Sequence, residues 1–292
     1  MPFSLEGFAF FTEAIFLGIY LYGWKRVSPV LHWLAGIVAA VSGILSAVFV
    51  VLANSWMNAP AGFDVANGQL VNINPIAAML NPASLHETIH MVLAAYVVTA
   101  FVVAGIHAFF LLRDAHSVFH RASCSIALVV ACVSIPFQIF SGDFSAREVA
   151  KLQPPKLAAM EAHYQTGTGV PLVIGGIPDD AAGKANYALQ IPFGLSILVG
   201  YNPATKVAGL EAFPRDQWPE VRLVHWSFDI MVGTGFAMLA VAAWVVWSWW
   251  RTRRLPDNKW LLRALVCSSP LGFIAVETGC CSALGCNRDH SK

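Results

Sequence analysis

Long apolar stretches dominate this chain, yet Glu6, Glu13, Glu87, His90, Asp229 and Glu277 all lie inside them. An ionisable group in hydrocarbon is expensive unless it is paired, hydrated or bound to a cofactor, so each of these marks a candidate functional site. Crossing a bilayer takes about 20 predominantly apolar residues. Six stretches meet that length, at approximately 3–24, 31–53, 87–112, 122–141, 223–250 and 260–280. The pattern therefore predicts an all-α, multi-pass transmembrane helix bundle whose chemistry lies within the membrane.

Composition agrees, with 57% hydrophobic and only 12% charged residues, where a soluble domain carries about 25% charged. A net charge of +1 gives no reason to expect nucleic acid. No basic region precedes the first apolar stretch and no small-residue cleavage site follows it, so no cleavable signal peptide is expected. Cys124, Cys132 and Cys267 fall in apolar spans and read as small buried hydrophobes. The expected organisation is four helices over 1–141, an outward loop over 142–222, two helices over 223–280 and an atypical tail over 281–292.

Orientation follows from the short loops. Lys25 and Arg26, then Arg113 and Arg121, then Arg251, Arg253, Arg254 and Lys259 all fall on one side by alternation. The excess of positive charge makes that side cytoplasmic. The segment 54–85 and the long polar loop then face outward. At a rise of about 1.5 Å per residue, Glu6, His90, Met231 and Glu277 sit near the outer surface, with Glu13 about 10 Å deeper than Glu6.

Glu6 and Glu13 are seven residues apart, so two turns place them on one helix face. Paired carboxylates on an apolar face suit a proton path or a metal or haem environment. His90 and Met231, on different helices at similar depth, could ligate one low-spin haem; each alone also reads as core. Glu277 has no sequence-local partner. His86-Glu87-Thr88-Ile89-His90 matches H-E-x-x-H, with Asp229 as a third ligand, and keeps an intramembrane zinc metalloprotease open as an alternative. A non-catalytic membrane fragment or an ion-conducting bundle is a further alternative.

Several segments, taken in order, resemble subunit I of the cytochrome bd-type quinol oxidases, in particular the cyanide-insensitive branch with a short quinol loop. They are Glu6-Gly7-Phe8-Ala9-Phe10-Phe11-Thr12-Glu13, Tyr22-Gly23-Trp24, Leu52-Ala53-Asn54-Ser55-Trp56-Met57 and His90 followed by Tyr96-Val97. The match continues through Lys156-Leu157-Ala158-Ala159-Met160-Glu161, Asp229-Ile230-Met231-Val232-Gly233, Lys259-Trp260-Leu261-Leu262-Arg263-Ala264 and Ile274-Ala275-Val276-Glu277.

The resemblance implies that His90 and Met231 are the axial ligands of a low-spin haem b. It implies that Glu277 ligates one of two high-spin haems, one of them haem b and the other haem d or a second haem b. Glu6 and Glu13 would line that pair and deliver protons. Lys156 and Glu161 would serve quinol oxidation in the outward loop; spacing alone gives a solvated loop helix there, because five residues apart lie on different faces. Electrons from quinol would reduce O2 to water at the expense of cytoplasmic protons. The implied partners are subunit II, a small accessory subunit, quinol, O2 and membrane lipid, in a bacterial inner membrane.

Two departures stand out. The family's helix bearing a high-spin haem histidine has no counterpart here. After Gly279 the chain reads Cys280-Cys281-Ser282-Ala283-Leu284-Gly285-Cys286 where the family continues with a Gly-Arg-Gln-Pro-Trp stretch, so a chain truncated at both ends is expected. A Cys/His metal site in that tail fits no zinc spacing well.

Overall fold

Turn chemistry and proline placement cut the described residues into ten α-helices. The computed structural model describes residues 1–253 and 258–284. They form two compact units, Met1–Val92 and the chain from Leu93 onward.

In the first unit, α1 (Pro2–Tyr22) and α2 (Pro29–Asn58) pack against each other. Pro29 opens α2 at a position where its missing N–H costs nothing, and Ser28 caps it by accepting the N–H of Leu31 at 3.3 Å. The strands β1 (Asp64–Ala66) and β2 (Gln69–Val71) make a hairpin turned by Asn67-Gly68, both at positive φ. The short α3 (Pro75–Met79) starts on Asn74, whose side chain accepts the N–H groups of Ile76 and Ala77. Buried Asn81 then ties the connection to α2, donating to Ser55 at 2.9 Å. The helix α4 (Ser84–Arg113) begins here and runs on into the second unit.

The second unit continues with α5 (Val118–Leu152), α6 (Pro154–Met160), α7 (Gly194–Gly200), α8 (Val221–Thr252), α9 (Lys259–Ser268) and α10 (Leu271–Leu284). Its membrane core is built on small side chains, with Ala104, Ala108, Cys124, Ala127, Leu128, Val245, Leu261 and Leu265 buried together. Small residues let helices approach closely where lipid offers no hydrophobic drive. Gly105 and Gly272 show this: an added Cβ would meet Ser269 at 2.7 Å and Val98 at 3.0 Å. The last expected span is broken at Ser269-Pro270 into α9 and α10, because a proline cannot continue the hydrogen-bond ladder. Among the described residues, six helical stretches are long and apolar enough to cross a membrane. Cys124 is buried as expected and Cys132 partly so, whereas Cys267 is exposed.

The loop between α5 and α8 is folded rather than extended. Three antiparallel ribbons shape it: β3 (Gly167–Thr168) with β8 (Lys206–Val207), β4 (Leu172–Ile174) with β7 (Leu189–Ile191), and β5 (Ile177–Asp179) with β6 (Lys184–Asn186). Two small cores hold it. Ala158, Ala159, Tyr164 and Leu210 bury against Val221 and Val224 of α8, and Leu157, Val170, Leu195 and Val207 bury together beside it.

Candidate functional site

In the first unit, both acidic residues of α1 face α2, as their seven-residue spacing requires. Ser46 donates to Oε1 of Glu6 at 3.3 Å. The carboxylate of Glu13 sits where Gly43 leaves room: a Cβ there would lie 3.0 Å from Oε1. On α4, His86 is buried and His90 is half-buried. Glu87 accepts from the amides of Asn58 at 2.8 Å and Asn54 at 3.3 Å.

In the second unit, α8 and α10 pack together. The sulfur of Met231 lies 3.0 Å from the position a Cβ would take on Gly279. Glu277, two residues earlier on α10, is exposed. Two residues are about 200° around a helix, so Glu277 points away from the side that meets Met231. A thioether and a carboxylate on opposite sides of the α8–α10 pair suit separate groups rather than one.

The loop site departs most from the sequence pattern. Lys156 and Glu161 are not a solvated pair: they are 8% and 2% exposed. The α6 helix and its cap are drawn against α8 by the buried Leu210, Val221 and Val224. Burial, with a further contribution from the nearby charge of Asp229, pushes the Glu161 carboxyl up to about 8. A carboxyl poised there can take or give a proton close to neutral pH. Neighbouring Tyr164 donates to Asp180 at 2.7 Å, and burial pushes its hydroxyl pKa up.

Sequence reasoning passed over His225. This residue is fully buried, with Nδ1 2.7 Å from the Met160 carbonyl and Nε2 3.0 Å from that of Gly175. Its one available signal is the four-residue spacing to Asp229, which puts both on one helix face.

The zinc-protease alternative does not survive. Glu87 is engaged by two asparagine amides, and Asp229 accepts the Gly175 N–H at 2.6 Å and lies 3.5 Å from Nε2 of His225. Among the described residues, no group of three or more His, Cys, Asp or Glu converges to hold a metal ion. The Cys/His tail beyond Leu284 lies outside the described residues. Donor types that suit haem stand on separate elements: an imidazole at His90, a thioether at Met231, and carboxylates at the exposed Glu277 and at Glu13 in the Gly43 recess.

The family model described as cytochrome bd terminal oxidase subunit I matches residues 1–285. A Bacillus subtilis protein, named provisionally as a cytochrome bd menaquinol oxidase subunit I, is 34% identical over 285 residues, covering 96% of this chain and 64% of that protein. The cytochrome bd-II ubiquinol oxidase subunit 1 of Escherichia coli is 29% identical, covering 95% of this chain and 67% of its own. The structure of bd oxidase from Geobacillus thermodenitrificans superposes with a TM-score of 0.87 at 39% identity, over 97% of this chain and 66% of that one. The chain thus spans about two-thirds of the length of the relatives it matches.

Proposed function

Because the chain belongs to the cytochrome bd terminal oxidase subunit I family, we propose that it is the haem-carrying subunit of a respiratory terminal oxidase that oxidises quinol and reduces O2 to water. It is a multi-pass protein of the bacterial inner membrane, with six membrane-length apolar helices. The observation that carries the proposal is Glu161, a 2%-exposed carboxylate raised to about 8 beneath a folded loop. That is the environment a base needs if it is to accept the proton of a quinol hydroxyl near neutral pH.

His90 and Met231 would hold a low-spin haem b, Glu277 one of two high-spin haems, and Glu13 with Glu6 the acidic lining of that pair. When bound, these haems supply the one-electron carriers and the oxygen-reducing iron. The protein's own part is placement and proton handling. Lys156, buried in the first turn of α6, supplies a cation to the quinol oxygens. Glu161 takes the proton as the electrons leave and releases it outward. On α1, Glu6 and Glu13 share one face and carry protons for oxygen reduction. The distal haem is d or a second b, and the family's heterodimer supports subunit II, with a small accessory subunit, as partners. The many exposed large apolar side chains of the membrane helices, Phe8, Trp33 and Phe140 among them, are suited to such partners and to lipid.

Membranes containing this chain with a second subunit should consume oxygen when a short-chain quinol is added. Glu161→Gln should abolish most of that uptake. Uptake unchanged in Glu161→Gln would overturn the assignment of the quinol side.

A further inference from the structure

One buried ionisable group on α8 has no part in the scheme above. His225 is 0% exposed, on the second turn of α8. Its two ring nitrogens face two carbonyl oxygens, those of Met160 at 2.7 Å and Gly175 at 3.0 Å. The ring therefore bridges two main-chain segments, one nitrogen to each. Asp229, one turn further on, lies 3.5 Å from Nε2.

Asp229 also reaches the loop. It accepts the N–H of Gly175 at 2.6 Å. One turn of α8 therefore grips both backbone groups of Gly175 and also the carbonyl that immediately precedes Glu161. Gly175 itself stands at φ +66 with open space where a side chain would be, and Gly176 follows at φ +88, where a Cβ would meet Ala188 at 2.6 Å. The tight turn between β4 and β5 thus presents a glycine whose backbone is shaped for this grip.

We propose that His225, braced by Asp229, is the positioning residue of the quinol site: it latches the main chain before Glu161 and the Gly175 turn to α8, holding the Glu161 carboxylate in one buried geometry. The proposal rests on Glu161 being the quinol-side base. Loosening the latch would leave the quinol pocket present but its base misplaced, and a shift of about 1 Å can cost up to about a hundredfold in rate.

The test uses the purified oxidase complex and a water-soluble short-chain quinol. His225→Gln removes the ring that sets one nitrogen against each carbonyl and so breaks the bridge. The latch predicts a kcat lower by about tenfold or more, a KM within about twofold, an unchanged reduced-minus-oxidised haem spectrum, and faster amide exchange over residues 161–176. Gly175→Ala strains the same latch from the loop without altering α8, and should give the same split; it decides the matter if His225→Gln does not accumulate. Wild-type kcat in either variant, or a loss carried wholly by KM, overturns the latch. Glu161→Gln, measured alongside, separates the two ideas. If it leaves turnover intact, the quinol-site reading fails; if it stops turnover while His225→Gln and Gly175→Ala do not, only the latch fails.

Discussion

The sulfur of Met231 lies 3.0 Å from the point where a Cβ on Gly279 would stand, so the glycine is what gives this thioether its place between α8 and α10. The relationship ties a proposed haem ligand to a residue on another helix. Gly279→Ala would press a methyl group on the sulfur, and overpacking of this kind costs roughly 1–3 kcal/mol. A methionine ligand raises the haem potential, so displacing it should lower the midpoint potential of the low-spin haem or diminish its signal. Potentiometric titration of the variant checks this; a wild-type potential would show that Gly279 does not govern the sulfur.

The Glu161 carboxyl, raised from 4.5 to about 8, gives the protein a pH signature. The folded value lies above the unfolded one, so the native state binds this proton more tightly. Its contribution to stability is complete below 4.5 and is lost as pH rises through about 8. In the proposed role turnover runs the other way: the ionised form that would accept a quinol proton grows as pH rises through about 8. Glu161→Gln should flatten both profiles. Thermal unfolding and quinol oxidation followed across that range read the two trends separately.

On the α1–α2 face, Gly43 accommodates the Glu13 carboxylate and Ser46 donates to Glu6. Ser46→Ala removes a half-buried hydrogen bond and should cost about 0.5–1.5 kcal/mol. Gly43→Val places bulk against Glu13 and should cost more, roughly 1–3 kcal/mol, with oxygen reduction falling further than stability alone explains. Unfolding in detergent and oxygen uptake on the same preparations would check the order. Equal, small effects of both changes would indicate that the face is merely a packing surface.

The six membrane helices were legible because hydrocarbon demands long apolar runs, and the sequence contains them plainly. Their ends were less so. The fourth run stops being apolar near Ser141, yet α5 continues to Leu152, supported by Asp143–Arg147 and Glu148–Lys151 ion pairs on its surface. A helix leaving the membrane no longer needs apolar residues, so hydropathy cannot mark where it stops. The break at Pro270 hides for the opposite reason: the residues around it stay apolar. The loop site was hardest to read. Ala158, Ala159 and Ala162, which flank Glu161, pack with Leu210, Val221 and Val224, residues 49 to 63 positions beyond Glu161, and no local pattern carries that. His225 escaped notice because a lone histidine near a helix start reads as ordinary, until the carbonyls of Met160 and Gly175 arrive from the loop.

The most direct test of the central claim is the reduced-minus-oxidised visible spectrum of membranes carrying the chain with a second subunit, for His90→Ala and Met231→Leu beside the unaltered protein. Ligation of one low-spin haem b by these two side chains predicts that its signal is present in the unaltered protein and lost in each variant. Persistence of that signal in both variants, with the protein present at normal levels, would contradict it.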